Sequence, residues 1–294
     1  MKQPILLVLT LVLLPGAALS QSVPIAGTKI DVDVYGNLFV LNADDNTLSL
    51  YDREYKRVAM VGGQGWDEGR FDRPSSVWAR NGMDVFVADY GNRRVQRFDR
   101  VLRFVSLLGG VDAGGELPGF GYPTDVALSR LGELFVCDND NKSVLKIGKS
   151  GSIEKTIGGY DAGKGRLLNP SRIEIGPRDN LYVLDGRRIL VFDAFGNFVR
   201  DLFEGVTREP REIFADGSRI AVLDGGRLYI FDSAERPSGE CDVAGFLADS
   251  TEQVRSFALA QEKLYLLTGK GLTILKDPFP DPGVRPVEKE GNSP

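Results

Sequence analysis

A short phrase returns six times along the chain, and that recurrence leaves few folds open. A polar or Gly-bearing turn, a β-rich run and a closing Asp or Asn appear as 37–42, 84–89, 133–138, 180–185 and 219–224, with Thr closing 263–268. The central apolar positions are Phe39, Phe86, Phe135, Tyr182, Ala221 and Tyr265, spaced 47, 49, 47, 39 and 44 residues apart. About ten residues upstream lies an alternating run that often follows proline, as in Pro74-Ser75-Ser76-Val77 and Pro170-Ser171-Arg172-Ile173. Downstream comes a third run, such as Arg97-Phe98-Asp99. A fourth ends in a glycine pair, such as Gly109-Gly110. Units of about 40–45 residues with four short strands and Gly-rich turns are the signature of propeller blades. No segment sustains a 3.6-residue apolar period, so helices are expected to be few.

The unit count closes a ring. The sixth unit shows only three strands, over 254–260, 263–268 and 271–276, whereas an orphan segment, 22–27, precedes the first. The expected fold is an all-β, six-bladed β-propeller of four-stranded antiparallel blades, closed by the N-terminal strand. Closure removes exposed sheet edges.

The ends read differently. Lys2, the apolar stretch from Ile5 to Leu14 broken by Thr10, and small residues at Ala18 and Ser20 have the order of a secretory leader cut before Gln21. Its apolar core of about ten residues is too short to anchor in a bilayer. The expected organisation is a signal peptide over 1–20, the propeller over 21–276 and a Pro-rich disordered tail over 277–294. The expected location is periplasmic or extracellular. Cys137 and Cys241 fall in units two apart and are expected to be separate thiols, because a disulfide needs Cα atoms within about 7 Å.

Composition then narrows the chemistry. The chain has no histidine, which removes Ser-His-Asp and Cys-His catalysis and His-ligated zinc. Lys and Arg number 36 against 41 Asp and Glu, a net charge of −5 that argues against a nucleic-acid binder. The Arg-rich second unit (Arg93, Arg94, Arg97 among others) carries enough Asp and Glu to form a salt-bridged, solvated face.

Three sets of residues invite a functional reading. Asp89, Asp138, Asp185 and Asp224 close the second strands. Their expected role is structural, accepting backbone N–H groups in the following turn or pairing with a nearby Arg. A column before the first apolar residue of each inner strand reads Asp31, Ser76, Asp125, Arg172, Glu212 and Ser256, and could ring a channel mouth. It is expected to be a solvated ring with Arg172 paired to Glu212 or Asp125. Its alternative is a calcium or magnesium site on Asp31, Asp125 and Glu212. The connections between units place Trp66, Arg70, Phe120, Tyr122 and Tyr160 among glycines, either as contact anchors for a partner or saccharide or as plugs between blades.

The second unit, with Gly69-Arg70-Phe71, Pro74, Val85 to Asp89 and Gly91 to Asp99, resembles the NHL repeat. The third keeps Asp138 and Asn141 but has Ser143 where Arg is usual. The fourth and fifth shorten the turn to Asp185-Gly186-Arg187-Arg188 and Asp224-Gly225-Gly226-Arg227, and the first and sixth are degenerate. The resemblance implies a propeller of the exported bacterial type. The lyases and paraoxonases of this architecture rely on histidine, so the expected function is a non-catalytic scaffold that binds another protein of the envelope or a secreted assembly, without a cofactor. The alternative is a divalent-metal-dependent lactonase-like hydrolase or saccharide-binding propeller using the axial carboxylates.

Overall fold

A computed structural model of the chain describes residues 20–109, 121–148, 150–202 and 208–279. The leader, apart from Ser20, and the tail beyond Phe279 lie outside the described residues, as does Phe120.

Six four-stranded antiparallel sheets follow one another around a ring. The innermost strands are Lys29–Val32, Pro74–Trp78, Pro123–Leu128, Pro170–Ile175, Pro210–Ala215 and Ser256–Ala260, which define blades 1 to 6. Each inner strand packs beside that of the next blade, and the sixth returns to the first. Strands Lys263–Leu267 and Leu272–Lys276 follow outward in blade 6. Its fourth strand is Gln21–Val23, paired antiparallel to Leu272–Lys276 with Ser22 opposite Thr273. The ring is thus closed by the N-terminal segment, as the strand count required. The only helical pieces among the described residues are three short 3-10 turns. No described helix is long and apolar enough to cross a membrane.

The recurring aspartates explain why this sequence makes this repeat. Asp52, Asp99, Asp193 and Asp232 end the third strands and accept N–H groups two and four residues on. The chain turns through left-handed backbone three residues after each, at Tyr55 (φ 62), Leu102 (φ 65), Gly196 (φ 74) and Glu235 (φ 61). Only one of the four is glycine, so the Asp holds a conformation that costs a side-chain-bearing residue roughly 1 kcal/mol or more.

The second-strand aspartates do a different job. Asp89 accepts from the backbone of Asp72 (2.8 Å), Asp138 from Gly121 (2.7 Å), Asp185 from Leu168 (2.8 Å) and Asp224 from Arg208 (2.7 Å). Each donor lies two residues before the proline that opens the blade's inner strand. These buried carboxylates therefore fasten the chain as it arrives from the previous blade. Asp89 also accepts from the Asn92, Arg94 and Gln96 side chains, of which Arg94 supplies the compensating charge. The structural reading of this set holds.

The core is a series of wedges between blades. Phe39, Phe71, Val87 and Phe98 fill the gap between blades 1 and 2, with Phe71 edge-on to Phe98 at 5.9 Å. Similar wedges run between blades 5 and 6 and across the closure. Cys137 and Cys241 are both free thiols, pushed up to about 12 chiefly by burial. The packed body runs past the expected boundary at 276. Asp277 is buried on Arg219, and Phe279 lies against Gly239.

Deleting residues 21–25 strips blade 6 to three strands and removes the buried Ile25. A loss of roughly 2–4 kcal/mol is expected, read as a fall in Tm of about 5–10 °C. An unchanged Tm would show that the ring does not depend on this strand.

Candidate functional site

Inner strands have one free edge, turned toward the axis, and their alternate side chains gather there. Pairing registers define the levels. Lys29, Ser76, Asp125, Arg172, Glu212 and Ser256 sit opposite equivalent second-strand residues and form an upper layer, on the side where the inner strands begin. Asp31, Trp78, Ala127, Glu174, Phe214 and Ala258 form the layer below. This corrects the expected column at one position. In blade 1 the first apolar residue of the inner strand is Ile30, so Lys29 takes the place assigned to Asp31. A slip of two residues keeps the side of the strand and changes the level.

The two layers carry a charge network. In the upper one, Glu212 Oε1 receives both Lys29 Nζ and Arg172 Nε, the latter at 3.0 Å. Asp125 accepts from the backbone of Ile173 at 2.9 Å. Just below the lower layer, Arg80 reaches across the axis. Its Nε donates to Asp31 (3.0 Å), and its two Nη atoms grip both oxygens of Glu174 at 2.8 and 2.6 Å. It also donates to the Ala215 carbonyl at 2.9 Å and stacks 4.5 Å from the Phe214 ring centroid. One side chain thereby joins blades 1, 2, 4 and 5.

Burial sets the protonation of this network. Desolvation, seconded by the Arg172 charge, pushes the Lys29 ammonium well below its ordinary 10.5, against the pull of Asp125 and Glu174. Glu174 is pushed up to about 8, first by burial and then by Asp125 and Asp31, despite the Arg80 contacts that oppose the shift. Arg80 stays charged between Asp31 and Glu174.

Above the upper layer opens a cavity of about 980 Å³. Lys29, Arg172 and Glu212 line its floor, and Arg73, Arg211, Arg255 and Lys270 line its walls. Among its lining residues six cations face three carboxylates, Asp44, Glu212 and Glu252, in a chain whose net charge is −5. The mouth is a cationic basin on an acidic protein.

The residues singled out from the sequence fall apart in space. Asp31, Asp125 and Glu212 form no common cation cage. Asp31 is held by Arg80 and by the Ala79 N–H at 2.8 Å, Asp125 faces backbone donors, and Glu212 is shared by Lys29 and Arg172. Among the described residues no group of three or more metal-ligating side chains is placed to hold an ion. The donor set does not fit calcium, since an added divalent ion would meet fixed cations. Trp66 is exposed, with its carbonyl accepting from Arg94, and Arg70 donates to the Gly62 carbonyl. Tyr122 stacks on Tyr90 at 4.9 Å and receives Arg93 on its hydroxyl at 2.6 Å, whereas Tyr160 is exposed beneath Arg166. None of these four lines the cavity. The aromatic residue that does is Tyr90, with Arg73 over its ring at 5.5 Å.

The comparisons with known proteins bear on chemistry. A model of the NHL repeat matches residues 120–147, within blade 3. A probable peptidyl-alpha-hydroxyglycine alpha-amidating lyase of Caenorhabditis elegans is 31% identical over 202 residues, 68% of this chain and 54% of that protein. Protein brain tumor of Drosophila melanogaster is 28% identical over 153 residues, 49% of this chain and 14% of that protein. The chain thus spans about half or less of the length of these relatives. Among solved structures, virginiamycin B lyase of Staphylococcus aureus, in a catalytically inactive His-to-Ala variant with quinupristin, superposes with a TM-score of 0.60 at 13% identity. The match covers 87% of this chain and 98% of that one. At that identity the likeness shows the fold. The expectation of a non-catalytic scaffold is overturned here, because a relative by sequence, at 31% identity, is an enzyme, a probable amidating lyase.

Replacing Arg80 with Met leaves Asp31 and Glu174 buried without their cation. A loss of about 3–5 kcal/mol in denaturant unfolding is expected. Glu174 gives a pH signature. With its pKa raised from 4.5 to about 8, the folded chain keeps a proton that the unfolded chain releases, so stability falls as pH rises between those values. Glu174→Gln removes this slope. The Tm of the native chain is expected to drop by several degrees more than that of E174Q between pH 5 and 8, and parallel curves would refute the assignment.

Proposed function

We propose that this NHL-repeat propeller is an enzyme of the lyase type, acting at the cationic upper mouth on a substrate that carries an anionic group. The observation that carries the reading is Lys29: a half-buried side chain at the floor of an anion-attracting cavity, paired with Glu212 beside the Arg172 guanidinium and pushed below its ordinary pKa by burial.

The roles follow from the geometry. A lyase removes a proton next to an activating group and expels a leaving group, and an anionic group beside the reacting atom must be neutralised as charge develops. Lys29, once its ammonium, disfavoured by burial, has given up its proton, takes the proton from a C–H or O–H next to the substrate's carboxylate. The electron pair left behind forms the new double bond. The leaving group departs with its bonding pair and receives a proton from the Lys29 ammonium or from water, so atoms and charge balance. Arg172, with Nε held by Glu212 and Nη1 by the Ser171 carbonyl, binds the carboxylate. Glu212 holds Lys29 and Arg172 together and is a positioning residue. No step of this scheme in the present chain draws on imidazole.

The reading also places the chain outside the cytoplasm, on the charge–apolar–small order of residues 1–20. N-terminal sequencing of the mature protein is expected to begin at Gln21, and an intact Met1 or Lys2 would refute it.

The catalytic test uses two carboxylate-bearing substrates, a peptidyl-α-hydroxyglycine and a uronate oligomer, with release of the carbonyl or unsaturated product as readout. Lys29→Met is expected to lower kcat by about 10²–10⁴-fold, the usual worth of a general base. Arg172→Lys should raise KM at an unchanged fold. Turnover of neither substrate by the native chain, or undiminished turnover by K29M, overturns the reading.

A further inference from the structure

The wall cations of the upper mouth are spread around the ring rather than gathered on one side. Arg73 enters blade 2, Arg211 lies at the start of blade 5, and Arg255 and Lys270 belong to blade 6. In a six-membered ring blades 2 and 5 stand opposite one another. Arg73 and Arg211 therefore flank the floor from opposite sides, with Lys29 and Arg172 between them. Each wall cation is exposed and is paired with a carboxylate: Arg73 with Asp72 at 3.6 Å, Arg211 with Glu209 at 3.5 Å, Arg255 with Asp44 at 3.5 Å, and Lys270 with Asp249 at 3.2 Å and Glu252 at 3.5 Å. Exposed pairs of this kind contribute little and are readily exchanged for a ligand anion.

A single compact anion would need one cluster of donors. A trough with cations on both sides of the reacting floor fits an elongated ligand bearing anionic groups at intervals. The volume of about 980 Å³ lies at the upper end of the range usual for ligand pockets, about 300–1,000 Å³. Tyr90 offers a ring in the same wall, and Asp44 and Glu252 add acceptors for hydroxyl groups.

We infer that the substrate is an acidic polysaccharide built of uronate residues, lying across the upper mouth from blade 2 to blade 5. The chemical part of this inference rests on the lyase reading above. A uronate has an acidic C5–H beside its carboxylate. Lys29 takes that proton, the electron pair forms the C4–C5 double bond, and the glycosidic oxygen on C4 leaves with its bonding pair and is protonated. A phosphodiester chain has no such proton.

The test is calorimetric titration of the native chain with a galacturonate hexamer, its fully methyl-esterified form and a single-stranded DNA hexamer, with ultraviolet detection of the conjugated unsaturated product run in parallel. The galacturonate hexamer is expected to bind at least about 10-fold more tightly than the ester or the DNA, with affinity falling as salt rises. Arg73→Ala and Arg211→Ala should each weaken binding by about 10-fold, the order of one charge-assisted hydrogen bond. K29M should bind within about 3-fold of the native chain while losing the product. Equal binding of the ester, preference for DNA, or indifference to both arginine substitutions overturns the inference. Binding of the hexamer without product from it or from the hydroxyglycine peptide retains the polysaccharide site and overturns the lyase reading. Product from the hydroxyglycine peptide without hexamer binding retains the reading and overturns the inference.

Discussion

The axis of this ring is a place where six strand edges meet, and their unpaired N–H groups must be satisfied without water to spare. The solution recurs around the ring. Ser256 accepts from the backbone of Ile30, Asp31 from Ala79 and Asp125 from Ile173, each side chain serving the inner strand of the next blade. An unmet buried donor costs roughly 1–3 kcal/mol, so polar side chains at the centre are a condition of the fold. Once carboxylates stand there they need cations, and Arg80, Arg172 and Lys29 supply them. The charged axis is therefore first a structural consequence. The chemistry proposed for Lys29 uses groups that the architecture had already brought together.

The architecture was legible because its signals are local and repeated. Each Asp-ended strand, each proline before an inner strand and each left-handed turn occurs often enough for the period to show through degenerate copies. The closure by Gln21–Val23 could be deduced by counting strands. The axial network was only half legible. Arg172 and Glu212 were in the expected column and do pair. Lys29, Arg80 and Glu174 were passed over, although Glu174 is two residues from Arg172 and Lys29 two from Asp31. Period-two spacing puts such neighbours on one side of a strand, and that was the available signal. Which cation finds which carboxylate across the axis depends on the level of each blade, and no local pattern encodes that. The cationic mouth was illegible for a related reason: its arginines come from blades 2, 4, 5 and 6, and the chain's acidic balance hides them.

The absence of histidine carries the scaffold expectation only through the histidine-dependent enzymes of this architecture, and leaves other catalytic groups open. It excludes imidazole chemistry and no more. Propellers place their functional groups on a common axis whatever those groups are, so a fold shared with lyases can present an amine and a guanidinium where another chain presents a different set. Desolvation is what makes the substitution chemically reasonable, since an ammonium in water holds its proton too tightly to serve as a base.

The seam in blade 6 has a consequence for how the molecule comes into being. Its outermost strand is made first and its other three last, so the nascent chain holds an unmatched strand through the making of five blades. The toroid can lock only when synthesis reaches the final β-hairpin. The two extremities of the packed body also end in the same part of the circle. A circular permutant that joins them and opens the chain between blades 3 and 4 would keep every blade but convert the seam into a continuous sheet made in one pass.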